Sequence, residues 1–184
     1  KVMTLSKGEH VFRLGDRMDN LYSVYSGACK DYWVDENGNE HINNFYYPGD
    51  IIGLESFPLR KERKGQRIRE FIFSAVALTT SQICIIPVQP FLEAMATSPA
   101  IMKRYLEINS YKMQNDIHLR MTTNTKERLA NFLLNILHRL EERGQTDGEH
   151  LPLIMSQFDI SNHLGMAHET TNRVLHNLQD HGAI

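Results

Sequence analysis

The sequence of 184 residues has little of several features that mark specialised protein classes. Its two cysteines, Cys29 and Cys84, are too few for a disulfide framework, so we expect a reducing cytoplasm. No apolar run approaches the ~18 residues that span a bilayer, which argues against a membrane partner. Twenty basic and twenty-two acidic residues give a net charge of −2, which excludes a polybasic protein. No signal peptide is visible, and because the chain starts at Lys1 rather than at a methionine, we expect further residues upstream.

The first ninety-odd residues have the turn spacing of an all-β domain. Short segments rich in aromatic and β-branched residues alternate with turns, and Asn37-Gly38 between two such segments predicts a two-residue hairpin loop. Strands this short predict a sandwich or a barrel-like roll over residues 1–95. The turns are marked by Gly8, Gly15, Gly27, Gly38, Gly49 and Gly53.

After Pro90 the apolar period becomes helical. One apolar seam recurs at steps of three, four and seven residues and predicts a long helix over residues 96–122. Such a seam fits a partner helix, most simply a second copy across a two-fold axis, and the alternative is a helix that packs on the β-roll. The seam consists of Met102, Leu106, Met113, Ile117 and Met121.

The C-terminal part, residues 123–184, has the pattern of a small helical domain. A helix is predicted over Thr125–Arg143, and a short apolar strand near Leu151–Met155. Two closely spaced helices follow: Ser156 caps the first, Gly165 ends it, and the second runs over His168–Asp180. This spacing is typical of a helix-turn-helix, whose second helix enters the major groove of DNA.

The outer face of that second helix carries side chains suited to reading base edges. Arginine donates two hydrogen bonds to guanine, glutamate accepts one from the cytosine amino group, and asparagine reads adenine or binds a phosphate. The alternative is plain helical packing, because one arginine stands against three acids from Met155 to Ile184, whereas a DNA-reading face is normally basic. The candidate DNA-binding residues are His168, Glu169, Thr170, Asn172, Arg173 and His176.

Short motifs along nearly the whole chain resemble the Crp/Fnr family of transcription regulators. They are Gly8-Glu9, Gly15-Asp16, Leu21-Tyr22, Pro48-Gly49-Asp50, Glu127-Arg128-Leu129-Ala130, Leu164-Gly165 and Glu169-Thr170 with Arg173. The resemblance implies an α+β fold: an N-terminal cyclic-nucleotide-binding-type β-roll, a long dimerisation helix and a C-terminal winged helix-turn-helix. It implies a homodimer on double-stranded DNA, with Glu169 and Arg173 reading bases. Asn172 stands where the oxygen-sensing branch usually has serine, which leaves the operator sequence open, and the wing is expected after Ile184.

The resemblance also raises the question of whether the β-roll binds a cyclic nucleotide as its signal. Family sites for cAMP resemble Gly-Glu followed later by Arg-Ser, whereas this chain has Gly53-Leu54-Glu55 and places Ser74 after Phe73. A buried phosphate without an arginine partner loses its charge-assisted hydrogen bonds. We therefore expect a regulator that does not depend on cAMP.

Cys84 offers a second kind of signal. Its segment resembles the strand in which the Fnr branch places one cysteine of an oxygen-labile iron–sulfur cluster, and the other ligands would then lie upstream of Lys1. Two alternatives stay open: Cys84 is a small buried hydrophobe, or the protein senses a gas through haem held by a histidine or by Cys84. The cofactor and any metal site therefore stay unassigned.

Two further interpretations concern the surface of the roll and catalysis. Six basic residues fall within Arg60–Arg69; this run fits a solvated hairpin loop, and the alternative is a contact surface for RNA polymerase or for DNA flanking the operator. A cupin-like metal enzyme needs clustered metal ligands, whereas the roll has only His10 and His41, well apart. The sequence thus predicts a cytoplasmic DNA-binding regulator without enzymatic activity.

Overall fold

The structure, a computed structural model, describes residues 1–56, 61–63, 66–147 and 151–182. The chain divides into two compact units, Lys1–Met102 and Lys103–Ile184. The first unit contains the strands and the second contains most of the helical residues. This order of elements confirms the predicted α+β class.

Antiparallel sheets form the β-roll of the first unit. The first sheet has the strand order β1-β10-β3-β6, the second has the order β2-β9-β4-β5, and β7 pairs with β8. The strands are β1 Val2–Leu5, β2 His10–Phe12, β3 Asn20–Ser26, β4 Cys29–Val34, β5 Glu40–Tyr46, β6 Ile51–Ile52, β7 Lys61–Arg63, β8 Gln66–Ile68, β9 Ser74–Ala77 and β10 Ser81–Pro87.

The core of the roll is built by alternation along the strands. In β10, Ile83 is fully buried whereas its neighbour Gln82 is exposed, as expected for a strand with one face on the core. Two aromatic rings stack at the centre: the ring centroids of Phe12 and Phe71 lie 3.6 Å apart, with an interplanar angle of 10°. Burial of one such ring contributes roughly 1.5–3 kcal/mol to the stability of the roll.

The hairpin between β4 and β5 has a longer loop than predicted. Asp35 N–H donates to the Asn39 carbonyl over 2.9 Å, and Gly38 N–H donates to the Asp35 carbonyl over 3.0 Å, with Gly38 at φ +84°. The prediction of a two-residue loop is therefore wrong; the loop is a three-residue turn with a left-handed glycine. The cause is the Asp35 carboxylate, which accepts hydrogen bonds from the N–H groups of Asn37 and Asn39.

The basic segment Arg60–Arg69 is described only in part. Residues 60, 64 and 65 lie outside the described residues. The backbone of the remainder forms β7 and β8, which pair antiparallel with Lys61 opposite Ile68. The described backbone of this segment thus agrees with the predicted hairpin.

Five helices lie in the described part of the chain. The predicted long helix begins at Pro99, because proline lacks a backbone N–H and disfavours a helical residue before it. Ser98 is accordingly extended, with φ −120° and ψ 104°, and residues 96 and 97 belong to a separate helix. The helices are α1 Val88–Thr97, α2 Pro99–Met121, α3 Thr125–Glu141, α4 Gln157–Leu164 and α5 His168–Asp180.

The short apolar segment Leu151–Met155 is not a strand. An extended segment becomes a strand only when its N–H and carbonyl groups pair with a neighbour. The described residues of the second unit contain no strand with which it could pair. Met155 is nevertheless buried, so the apolar character of this segment correctly indicates that it packs against the interior.

Gly27 should be the glycine of the roll that tolerates substitution least. Its φ is +82°, and a Cβ atom there would lie 2.5 Å from the Thr80 carbonyl oxygen and 2.8 Å from Ser81 Cα. Gly38, at φ +84°, has nothing within 4 Å of such an atom and provides the matched control. We expect Gly38→Ala to cost about 1–2 kcal/mol of backbone strain and Gly27→Ala clearly more, as measured by urea unfolding. Equal losses for both variants would contradict the clash.

Candidate nucleic-acid interface

The first helix of the predicted pair, α4, is fixed at both ends by its own sequence. The Ser156 hydroxyl accepts from Asp159 N–H over 3.0 Å, while the Asp159 carboxylate accepts from Ser156 N–H over 3.0 Å. This reciprocal capping box satisfies two N–H groups that a helix start leaves unpaired. At the other end Gly165 takes φ +61°, a left-handed conformation that stops the helix. The predicted turn between α4 and α5 is therefore confirmed.

The recognition candidate α5 has one buried and one exposed face. Thr171, Val174 and Leu175 are buried and point to the interior of the second unit. Glu169 and Arg173, one turn apart, are exposed on the opposite face. An exposed glutamate and arginine at this spacing can both reach base edges in one groove.

The remaining candidates on α5 differ in exposure. His168 and His176 are exposed, whereas Thr170 and Asn172 are half-buried. The Asn172 amide nitrogen lies 3.3 Å from His168 Nε2, so the two side chains hold each other at the start of the helix. Asn172 Oδ1 is buried and has no hydrogen-bond partner among the described residues. The structure thus places five of the predicted residues on one surface of α5, with Thr170 at its edge. The five are His168, Glu169, Asn172, Arg173 and His176.

The interior of the second unit supports α5 from behind. On α3, apolar side chains at helical spacing are buried, and α3 and α4 both contact α5. The ring of Phe132 lies 5.2 Å from the ring of His163 on α4, measured between centroids. A rigid packed interior holds the exposed face of α5 at a fixed orientation. The buried residues of α3 are Leu129, Phe132, Leu133, Ile136 and Leu140.

Arg128 is a structural residue of this site whose role the sequence reasoning missed. Its Nε and Nη2 donate to the carbonyl oxygen of Thr122 over 2.9 and 2.6 Å, and its Nη1 donates to the carbonyl oxygen of Leu164 over 3.1 Å. These carbonyls close α2 and α4, where a helix leaves acceptors unpaired and carries partial negative charge. The sequence carried no signal that separates it from Lys126 in the same turn, because the acceptors of Arg128 are backbone carbonyls 6 and 36 residues away.

The interior of the β-roll is acidic around Tyr46. The Tyr46 hydroxyl donates to the carboxylate of Asp31, which is itself buried, over 2.8 Å. Burial raises the pKa of Tyr46 well above its usual value, and the negative charges of Asp31 and Glu55 raise it further. A Cβ atom on Gly53 would lie 2.9 Å from the ring of Phe71, so that ring occupies the space over Gly53.

The two cysteines lie in different surroundings. Cys29 is buried, and burial raises the pKa of its thiol to about 12. Cys84 is half-buried on β10, opposite Val2 of β1 and Ser23 of β3. Across the ranges 1–56, 61–63, 66–147 and 151–182, no three His, Cys, Asp or Glu side chains form a metal-binding group. An iron–sulfur cluster needs four ligands, so the described residues alone do not fit one.

Comparison with known proteins assigns both units. Residues 2–98 match the cyclic nucleotide-binding domain, and residues 127–184 match the Crp-like helix-turn-helix domain. Electron transport regulator A of Shewanella oneidensis is 33% identical, over 98% of this chain and 69% of that protein. The fumarate and nitrate reduction regulatory protein of Yersinia pestis is 32% identical, over 95% of this chain and 67% of that protein. The chain belongs to the Crp/Fnr family of transcription regulators.

The fold agrees with this Crp/Fnr assignment. The structure of FixK2 from Bradyrhizobium japonicum superposes with a TM-score of 0.78 at 21% identity, covering 99% of this chain and 85% of that one. The helix-turn-helix match includes Arg128 and the whole of α4 and α5, so the interface described above belongs to the Crp-like DNA-binding domain. No helix in the described part of this Crp/Fnr chain has the length and apolar character needed to cross a membrane.

Loss of the Arg128 side chain should loosen the DNA-binding domain of this Crp/Fnr regulator. Arg128→Ala leaves two carbonyl oxygens without their charged donor, so we expect a loss of about 2 kcal/mol in the free energy of unfolding. Lys126→Ala, which removes an exposed cation from the same helical turn, is the control. Urea unfolding measures both variants, and equal stability of the two would contradict the role of Arg128.

Proposed function

We propose that this Crp/Fnr regulator binds a pseudo-palindromic operator as a homodimer and reads each half-site with α5. The proposal is carried by the exposed face of α5, where Glu169 and Arg173 lie one turn apart with His168 and His176 beside them. Arg173 suits a guanine and Glu169 the amino group of a cytosine. The relatives named above are, by name, a regulator of electron transport and a regulatory protein of fumarate and nitrate reduction, which supports a regulatory function here.

The homodimer is supported by the surface of α2. Tyr105, Ile108 and Leu119 lie on one side of the helix and are half-buried. The seam lies on roughly the opposite side and is exposed, with 61% of Met113 and 75% of Met121 accessible. An exposed apolar stripe along a helix is typical of an interface, and self-association across a two-fold axis buries it most simply. We assign the seam Met102, Leu106, Met113, Ile117 and Met121 to that contact.

Two-fold symmetry sets the form of the operator. Two copies of α5 related by the α2 contact read half-sites whose centres lie about 34 Å apart, one turn of DNA. A signal then acts by changing the fraction of dimers whose two α5 helices match this spacing. We place this DNA-binding regulator in the cytoplasm. That it has no enzymatic activity stays a prediction.

We further propose that the β-roll is not gated by a cyclic nucleotide. The phosphate of such a ligand needs a cationic partner, whereas carboxylates of Asp31 and Glu55 act on Tyr46 inside the roll. The ring of Phe71 fills the space over Gly53, in the segment that resembles the ribose site. It stays a prediction that Cys84 supplies one ligand of an iron–sulfur cluster. It also stays a prediction that the segment Arg60–Arg69 contacts RNA polymerase. The cupin alternative gains no support from clustered ligands in the part of the roll that is described. Haem held by a histidine or by Cys84 stays a prediction.

Substitution of Arg173 tests the recognition role of α5. Arg173→Ala should abolish operator-specific retention while the dimer stays intact by size-exclusion chromatography. Arg173→Lys keeps the charge but loses the two-pronged donor, so specificity should fall by about 1–3 kcal/mol with non-specific binding retained. Gel-shift titrations on an operator selected from random duplexes measure both effects. Undiminished specific binding by both variants would refute this role.

A charge in the seam tests the dimer. Met113→Asp places two carboxylates close to the two-fold axis, so we expect a shift from dimer to monomer and a loss of operator binding. Arg104→Asp places a carboxylate about 180° around the helix from Met113, away from the seam, and should leave the dimer intact. Analytical ultracentrifugation at micromolar concentration separates the outcomes. A dimeric Met113→Asp variant would show that the contact lies elsewhere.

A further inference from the structure

Phe158 is an aromatic side chain left largely in solvent next to the recognition helix. It lies in the first turn of α4, and 60% of its surface is exposed. Its ring centroid lies 6.2 Å from that of His168, the first residue of α5, with an interplanar angle of 56°. The exposed ring thus adjoins the end of α5 that enters the groove first in helix-turn-helix proteins.

Packing of the second unit does not account for this ring. The buried side of α4 is formed by Ile160, Ser161 and Leu164, whereas Phe158 lies on the other side. Its backbone is nevertheless held in place, because Ser161 Oγ donates to the Phe158 carbonyl over 2.8 Å. An exposed aromatic side chain on a fixed backbone position that the core does not use is a good candidate for a binding contact.

We propose that Phe158 is a specificity-determining residue that packs its ring on the 5-methyl group of a thymine beside the bases read by Glu169 and Arg173. This inference rests on the proposed DNA-binding function. In helix-turn-helix complexes the first helix crosses the DNA backbone while the start of the second reaches the bases. A ring that bridges these two helix starts therefore lies at the rim of the major groove, where the thymine methyl is the apolar feature that phenylalanine recognises.

DNA is the partner that the position of Phe158 favours. The ring is continuous with the exposed surface of His168 and Glu169, which forms part of the proposed reading face. The seam on α2 is a separate apolar surface and is assigned to the second copy. A thymine contact also adds sequence information on a face with a single arginine, where few charged donors are available.

The test measures the energetic coupling between the ring and the methyl group. The full-length protein is titrated by fluorescence anisotropy against a selected operator, the same operator with single thymine-to-uracil replacements, and a random duplex. Phe158→Ala is compared with Leu134→Ala, which truncates an equally exposed apolar residue on α3, 61% accessible. Circular dichroism and urea unfolding of both variants verify that the domain is folded.

We expect Phe158→Ala to weaken operator binding about tenfold, with little change on the random duplex and none for Leu134→Ala. One thymine-to-uracil replacement in a single half-site should weaken the wild type about fourfold, which corresponds to about 0.8 kcal/mol for one buried methyl-sized group. The same replacement should leave Phe158→Ala unchanged, because its partner is already lost.

Two results would overturn the inference while leaving the proposed function intact. In the first, Phe158→Ala binds the operator as tightly as Leu134→Ala does. In the second, it weakens operator and random duplex equally, and no uracil replacement distinguishes it from the wild type, which assigns the ring to the DNA backbone. A wild-type protein that selects no operator at all would instead refute the proposed function together with this inference.

Discussion

The DNA-binding unit depends on one guanidinium group. Arg128, in the first turn of α3, donates hydrogen bonds to the carbonyl oxygen that follows α2 and to the one that closes α4. Both acceptors lie at helix ends, where backbone carbonyls otherwise need water or a cap. Because a planar guanidinium holds its donors in a fixed fork, it sets the direction of two chain segments at once. The turn that presents α5 is thereby tied to the end of the helix that we assign to dimerisation.

Local signals predicted the first helix of the helix-turn-helix well because single residues encode its ends. Ser156 and Asp159 form a capping box, and Gly165 supplies the left-handed stop, so the boundaries of α4 follow from residue chemistry alone. The apolar period of α3 likewise matched its buried face. The glycines predicted to mark the turns of the roll all take a positive φ, as expected for tight turns.

The errors arose where the deciding partner is distant in sequence or belongs to a side chain. The loop after Val34 is set by the carboxylate of Asp35, which the Asn37-Gly38 signal does not reveal. Leu151–Met155 has the composition of a strand but no described strand to pair with. Arg128 contacts a carbonyl 36 residues away, and the contact between Phe158 and His168 spans the turn. Tertiary neighbours of this kind override local propensity and require coordinates.

The two apolar sides of α2 have a thermodynamic consequence. One side is half-buried and the other is the exposed seam that we assign to a second copy, so in the proposed dimer folding of the helix and assembly of the pair draw on the same element. A subunit that associates through such a surface gains stability by mass action, in proportion to the logarithm of its concentration. The thermal midpoint of the proposed dimer therefore rises with protein concentration, and dilution lowers it.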